Sequence, residues 1–295
     1  MNILILGSSG NIGKSLKESL IQDGHSVVGI SRSSSDINKD LLNITDKEIT
    51  DILINNNINI VINSTGVLLP TTLDDYLLNS NLLLKFFNNQ IGKKLKYIVI
   101  GSAAEYGISG DLIIDANTSS PNPQNLYGLS KLNQTILAEY YKEHFGVDVI
   151  VFRLFNIIAP FLPERSFVGS LISAIVKGSS GVIQVNNGKI QRDFIDLRDF
   201  VNLIKNAINK PIIKQTIFNV GNGYNVNYQE VIALSFNLLE KYNLSMPTYK
   251  DLDKVEMFSK SVCKIDDTKK IFDWEPKYSL KDSLEWCLRE NKLIK

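Results

Sequence analysis

Short apolar runs recur through the first half of the chain with helical stretches between them: "NILIL", "SVVGI", "INIVIN", "KYIVIG" and "VDVIVFR". Such alternation predicts parallel strands linked by crossover helices. Between the fourth and fifth runs, "NPQNLYGLSKLNQTILAEYYKEHFG" has apolar residues at helical spacing; Pro123 suits the start of that helix and Gly146 its stop. After residue 155 the alternation decays into short mixed elements, and "TIFNVG" near residue 216 reads as a further strand. The pattern predicts an α/β fold, a doubly wound parallel sheet with a smaller mixed α/β lobe. Residues 1–158, with a returning segment near 192–221, are expected to form the sheet domain, and 159–191 with 222–295 the lobe.

Composition narrows the function classes. A chain of 295 residues with 44% hydrophobic and 21% charged residues can bury a sizeable core. With a net charge of +1, no broad field draws it to nucleic acid or an anionic membrane, so neither is expected as a partner. The run Lys93-Lys94-Leu95-Lys96 reads as a solvated loop. No apolar run reaches the ~18 residues of a membrane span. The opening strand lacks a charged segment and cleavage site before it, so no signal peptide is expected. Cys263 and Cys287 are too few for a disulfide framework, and no C-x-x-C spacing suggests a metal, so a reducing cytoplasm is the expected compartment. His25 and His144, the only histidines, read as surface or helix-end residues, which argues against histidine-based metal or triad catalysis.

The first strand runs directly into "GSSGNIG", with Gly7, Gly10 and Gly13 at a strand-to-helix turn and Ser9, Asn11 and Ile12 between them. Glycine there permits the tight turn, close approach of the backbone to a pyrophosphate, and close helix packing, while the helix N-terminus favours negative charge. This predicts a Rossmann-like dinucleotide site. An acidic residue at the end of the second strand would suit the ribose of NAD. The strand instead ends "GISRSS": Ser31 does not repel a phosphate and Arg32 can pair with one, which favours NADP(H), with NAD possible. Asp36, further along, is within chain reach of a ribose.

Tyr127 and Lys131 lie four apart on the expected helix, and so on one face. A tyrosine near pKa ~10 is a poor base at neutral pH, but a neighbouring ammonium and an oxidised nicotinamide both favour its phenolate; a fall of about three units takes ~4 kcal/mol. The pair alone is common on surface helices. Ser102 changes the reading, because it ends the "KYIVIG" strand, where a parallel sheet presents residues to a ligand crevice. Its hydroxyl can hydrogen-bond a carbonyl while Tyr127 moves the proton.

With these features in order, the chain resembles an extended short-chain dehydrogenase/reductase of the sugar-nucleotide epimerase, dehydratase and reductase group. The resemblance runs over nearly the whole length through "GSSGNIG", "NSTG", Asn81, "GSAAEYG", "YGLSK", "RLFNIIAP", "RDFIDLRD", "FNVGNG" and "DWEPKYSL". It implies Ser102, Tyr127 and Lys131 as the catalytic set, Lys131 also holding the nicotinamide ribose. It implies Asp40 and Leu41 near the adenine, and Thr65, Gly66 and Asn81 along the cofactor. Ala103, Ala104, Asn156, Phe167, Val168 and Arg192 would face a nucleotide-diphosphate sugar. For Asn156 the structural alternative is a turn cap, and for Arg192 a pair with Asp193 or Asp196. One departure stands out. Many relatives carry a diphosphate-binding arginine shortly before the segment matching "VEMFSKS", where this chain has "KDLDK", so Lys250 or Lys254 would substitute.

Family members that dehydrate a sugar nucleotide follow the strand-end hydroxyl with acidic groups, and here Ala103 and Ala104 cannot move a proton. Glu105 follows; in an extended segment it points away from the face of Ala104, which implies a structural or rim role. The 3,5-epimerising reductases resembling GDP-fucose synthase use a cysteine where Ala104 stands. What remains is hydride transfer plus one tyrosine proton. "EYG" and "RLFNIIAP" resemble GDP-4-keto-6-deoxymannose reductases more than UDP-glucose 4-epimerases. The resemblance therefore implies an NAD(P)H-dependent reductase of a 4-keto-6-deoxysugar nucleotide, serving surface-polysaccharide biosynthesis as a homodimer, with a 4-epimerase as the alternative. A non-catalytic NADP-sensing scaffold is the rival from another class, disfavoured by the presence of Ser102, Tyr127 and Lys131.

Overall fold

The apolar runs are strands because both of their faces are covered. A computed structural model describes residues 1–89, 91–107, 113–254 and 262–295. Its main sheet has seven parallel strands in the spatial order Ile217–Val220, Asp148–Leu154, Lys96–Ser102, Ile60–Asn63, Asn2–Leu6, Ser26–Ser31, Ile37–Asn38. Successive residues point to opposite faces. Ile3, Ile5, Ile98, Ile100, Ile150 and Phe152 enter one apolar cluster, and Leu4, Leu6, Tyr97, Val99, Val149 and Val151 the other.

The chain places its second strand on one side of Asn2–Leu6 and Ile60–Asn63 on the other, so the winding reverses there. In open parallel sheets a ligand crevice lies outside the carboxyl ends of the strands at such a reversal, and here Gly7 and Ser64 stand at those ends. Helix Leu126–Phe145 covers the sheet beside it, begun by the Asn125 side chain accepting from the Gly128 amide and ended by Gly146 at φ 66°. Pro123 therefore lies ahead of the cap rather than in the first turn. The Lys93–Lys96 run also departs from a solvated loop: Gly92–Lys94 is a 3-10 turn, Leu95 is buried, and Lys96 begins the strand with its ammonium 3.8 Å from Asp148.

A third cluster forms the lobe, uniting helices Phe167–Val176, Tyr228–Lys241 and Leu280–Glu290 with Ile158, Ile183, Phe194 and Val226. Its strands pair as Asn225–Asn227, Gln191–Asp196 and Asn156–Ile158, and as Thr248–Asp251 with Val182–Val185. Helix Leu197–Ile208 packs back on the main sheet, as do Phe272 and Trp274. The late segment 222–295 thus divides between the lobe and the sheet. His25 lies beside the chain's amino group and His144 against Tyr140 near the end of its helix, both at the surface. Among the described residues, no helix is long and apolar enough to cross a membrane.

Candidate active site

The glycine turn is built for close approach. Gly7 has φ +79°, its amide donates to the Ile30 carbonyl at 2.8 Å, and a Cβ there would lie 3.0 Å from the Thr65 nitrogen. A Cβ on Gly13 would collide with the Gly7 carbonyl oxygen, which is why the helix can sit against the strand end. Helix Asn11–Gln22 starts at Gly10 with no side chain capping its first turn, so the amides of Asn11, Ile12 and Gly13 remain for a ligand. A pyrophosphate fits this cradle. Asn11 has a second task, its Nδ2 donating to the Pro160 carbonyl at 2.8 Å and tying the loop to the far side of the crevice.

At the end of the second strand, Ser31 is buried; its hydroxyl accepts from the Ser9 amide at 2.9 Å and donates to the Ile30 carbonyl at 2.8 Å. Ser31 therefore braces the loop, and Arg32 is the exposed group there. Asp36 is engaged elsewhere, by the Gly29 amide at 2.7 Å and the Lys17 ammonium at 2.6 Å, so it does not reach toward a ribose. The Asp40 carboxylate organises its own turn, accepting from the Leu42 amide and Asn43 Nδ2, while Leu41 packs into the core.

Thr65 and Gly66 continue the trough. Thr65 Oγ1 donates to Asn63 Oδ1 at 2.7 Å, and a Cβ on Gly66 would lie 3.8 Å from Lys131 Nζ. The asparagine expected along the cofactor, Asn81, is exposed at the joint between helices Leu73–Ser80 and Leu82–Asn88, two positions beyond an asparagine that is buried. Asn79 is the inward residue, fully buried, with Oδ1 accepting from the Val67 amide at 2.7 Å and Nδ2 donating to the Val67 carbonyl and to Ser130 Oγ. Two helical residues are about 200° apart, so only one of Asn79 and Asn81 can face the crevice. Tyr76, three residues before Asn79 and touching Asn133, marks which one.

The structure brings Ser102, Tyr127 and Lys131 together where the central strand meets the long helix. Ser102 Oγ accepts from the Ala104 amide at 3.1 Å, leaving its hydrogen to donate. Ala103–Glu105 is a 3-10 turn rather than an extended segment, and its Ala104 carbonyl abuts Gly128 so closely that a Cβ there would clash. Lys131 Nζ donates to the Thr65 and Ile100 carbonyls, at 3.2 and 2.8 Å, and to Gln134 Oε1 at 3.1 Å. Burial pushes this ammonium down to about 8, against an upward pull from Glu105. Burial also pushes the Tyr127 phenol up; the Ser102 hydroxyl opposes that shift and Glu105 adds to it. In the protein by itself, burial thus outweighs the Ser102 hydroxyl and Tyr127 holds its proton at neutral pH. Glu105 is not at the rim. It is fully buried and paired with Arg153 at 2.6 Å, an acid kept out of the crevice.

On the lobe side, Asn156 Nδ2 donates to the Asp193 carbonyl at 3.0 Å, and Arg192 Nη1 to the Gln191 carbonyl at 2.8 Å. Arg192 pairs with neither suggested carboxylate: Asp193 accepts from the amides of Asn222, Gly223 and Cys263, and Asp196 takes the Arg198 guanidinium. Burial pushes the Asp193 carboxyl up to about 6, with the three amides opposing. Phe167 stacks on Tyr228 with ring centres 3.9 Å apart, whereas Val168 packs into the lobe core. Lys250 and Lys254 are exposed on and just after strand Thr248–Asp251; the "VEMFSKS" segment lies outside the described residues.

Known proteins share this framework. Protein CapI of Staphylococcus aureus is 22% identical over 342 residues, spanning 99% of this chain and 100% of that protein. The solved UDP-glucose 4-epimerase of Thermotoga maritima, with UDP-glucose, superposes with a TM-score of 0.85 at 21% identity over 99% of both chains. RMD from Pseudomonas aeruginosa, complexed with NADPH, gives 0.82 at 19% identity over 99% of both. Residues 3–221, which include the glycine cradle, Ser102, Tyr127 and Lys131, match the NAD dependent epimerase/dehydratase family, and the chain belongs to it as an NAD(P)-dependent enzyme of the extended short-chain dehydrogenase/reductase type.

Proposed function

We propose that the chain reduces the 4-keto group of a nucleotide-diphosphate 4-keto-6-deoxysugar, with NADPH favoured and NAD possible, in making activated sugars for surface polysaccharide. The observation that carries this reading is the turn after Ser102. Its two alanines have no proton to move, and its one acid, Glu105, is sequestered on Arg153. A proton donor and a hydroxyl therefore face the crevice without the acid–base pair that water loss requires.

The cradle of Gly7, Gly10 and Gly13 would hold the pyrophosphate, Thr65, Gly66 and Lys131 the nicotinamide end, and the exposed Arg32 a 2′-phosphate. When bound, the nicotinamide supplies the hydride to C4. Ser102, whose hydroxyl also reaches the Tyr127 phenol, would donate to the C4 oxygen and orient it. Tyr127, its proton retained by burial, protonates that oxygen as negative charge develops. Lys131, held by the Thr65 and Ile100 carbonyls, keeps the phenol and trough in register. Asn156, Phe167 and Arg192 serve the sugar nucleotide, Arg192 as the diphosphate cation.

The same groups run the reverse step, and the likeness to the Thermotoga maritima 4-epimerase favours 4-epimerisation as the second reading. A panel of nucleotide-linked 4-keto sugars with NADPH separates the two. The reductase consumes one NADPH per sugar and places nicotinamide label at C4. Interconversion of intact sugar nucleotides supplied with NAD⁺ or NADP⁺, with no net change in the cofactor, replaces it with the epimerase, and water loss from them sinks both. We also propose a cytoplasmic homodimer: helix Leu126–Phe145 leaves Leu129, Ile136 and Tyr140 exposed along one side, and light scattering at twice the chain mass is the expected result.

A further inference from the structure

The buried acid behind the Ser102 turn bonds to three elements at once. Glu105 Oε1 accepts from the Ser102 amide at 2.8 Å, at the end of the central strand. Oε2 accepts from Arg153 Nε at 2.6 Å, on the neighbouring strand, and from Thr135 Oγ1 at 2.8 Å, on the helix that carries Tyr127 and Lys131. A Cβ on Gly101 would lie 2.7 Å from Oε1, so the carboxylate occupies the space of the side chain that Gly101 lacks. The Arg153 guanidinium lies 4.6 Å above the Tyr106 ring, and Tyr106 donates to Asn219 Oδ1 at 2.7 Å on strand Ile217–Val220.

Stability alone does not account for this arrangement. Taking a carboxylate and a guanidinium out of water is costly, and well-packed apolar side chains of similar volume commonly do as well or better. What apolar packing does not supply is direction. The donors on Glu105 fix the distance from the Ser102 amide to the Thr135 side chain, and with it the relation between the turn and the helix.

We propose that Glu105, clamped by Arg153, is a positioning residue: it locks the Ala103–Glu105 turn against helix Leu126–Phe145 and places the carboxylate of an ion pair behind Tyr127. This rests on the assignment of Ser102 and Tyr127 made above. Arg153, Tyr106, Tyr127, Lys131 and Glu139 are the titratable and charged groups that feel Glu105, and Thr135 is its neutral partner. A negative charge behind the phenol disfavours phenolate, and so preserves a proton donor at the end of the helix.

The test separates the charge from the clamp. Tyrosine labelled with carbon-13 at the hydroxyl-bearing carbon is titrated by NMR in the resting full-length chain, the Tyr127 signal being identified by its loss in Tyr127→Phe. In Glu105→Gln, and in the charge-balanced Glu105→Gln/Arg153→Met chain should the single variant fail to fold, Tyr127 should titrate at lower pH than in the wild type. Glu105→Asp keeps the charge but shortens the reach, so its kcat should fall about tenfold or more with KM nearly unchanged. Thr135→Val keeps both charges and cuts one bond; it too should lower kcat and leave KM, and it serves if the charge variants do not fold. A folded charge-removed chain whose Tyr127 titrates as in the wild type, or unaltered kcat in both Glu105→Asp and Thr135→Val, would overturn the proposal. Absence of turnover on every keto sugar, with the Tyr127 shift intact, would instead overturn the reductase reading and leave the charge effect standing.

Discussion

Two acids, Glu105 and Asp193, are each 0% exposed, one behind the turn that presents Ser102 and one in the strand that presents Arg192. Glu105 is held by a guanidinium as well as by neutral donors. Asp193 has only the amides of Asn222, Gly223 and Cys263. Burial pushes both carboxyls up; at Glu105 the Arg153 guanidinium opposes the shift with a full charge as well as a hydrogen bond, whereas at Asp193 only backbone dipoles oppose it and the carboxyl rises to about 6. Under the proposed function this is a division of labour: an ion pair fixes the side assigned to proton transfer, while amide contacts gather the loops assigned to the sugar nucleotide and leave that gathering sensitive to pH.

The largest expected effect lies on the Glu105 side. Tyr127→Phe keeps the ring and removes the proton, so turnover should fall by ~10²–10⁴ while cofactor titration and melting temperature stay close to wild type. Near-normal turnover would require another acid and would detach the Glu105 side from the chemistry. Next comes Arg153→Met, which strands a buried carboxylate. The unfolding free energy at neutral pH should fall by ~3–5 kcal/mol, and the loss should shrink in acid as Glu105 takes up a proton. A melting temperature unchanged at pH 7 would show that Glu105 does not depend on its cation, and the contrast with Asp193 would dissolve.

Asp193→Asn probes the other side. The folded carboxyl titrates at about 6 against an ordinary 3.8, so the folded state binds the proton more tightly. The stability this contributes is fully present below the unfolded value, is lost as pH rises through the folded one, and is then constant. The unfolding free energy of the wild type relative to Asp193→Asn should therefore decline by ~3 kcal/mol across that window. Parallel pH profiles for the two proteins would mean that the amides hold Asp193 at its ordinary value.

These two acids also mark where sequence reading stops. Runs such as "KYIVIG" declare a strand covered on both faces, because only burial on both sides favours unbroken apolar sequence. Gly13 and Gly146 are legible for similar reasons, one needing close packing and the other a left-handed turn. Ser102, Tyr127 and Lys131 follow from a strand end and a helical spacing, both local. Glu105 was beyond local pattern, since its role depends on a 3-10 turn and on Arg153, which comes from another strand. Asn79 lies inward and Asn81 outward because of the rotational phase of a short helix, which residue type alone does not report. Asp193 is bonded by residues 29, 30 and 70 positions away, and no periodicity reports such contacts.

The smallest effect belongs to a charge of the opposite kind. Arg32 is exposed at the end of strand Ser26–Ser31, where water and salt screen it, in contrast to the buried acids. Under the proposed function, a contact from it to a 2′-phosphate would be worth little beyond what one charge-assisted hydrogen bond supplies, and removing it would leave no buried partner unpaired. Arg32→Ala should therefore weaken NADPH by about tenfold or less, ~1.4 kcal/mol, leave NADH almost untouched, and lose its effect as ionic strength rises. Fluorescence titration of both cofactors at low and high salt reads all three. Equal weakening of NADH and NADPH would remove Arg32 from the phosphate site and shift the preference toward NAD, because Ser31 is engaged inside the loop and Asp36 is held by Lys17. A loss of a thousandfold would mean instead that cofactor binding closes the site over Arg32, making it a third buried charge to set beside Glu105 and Asp193.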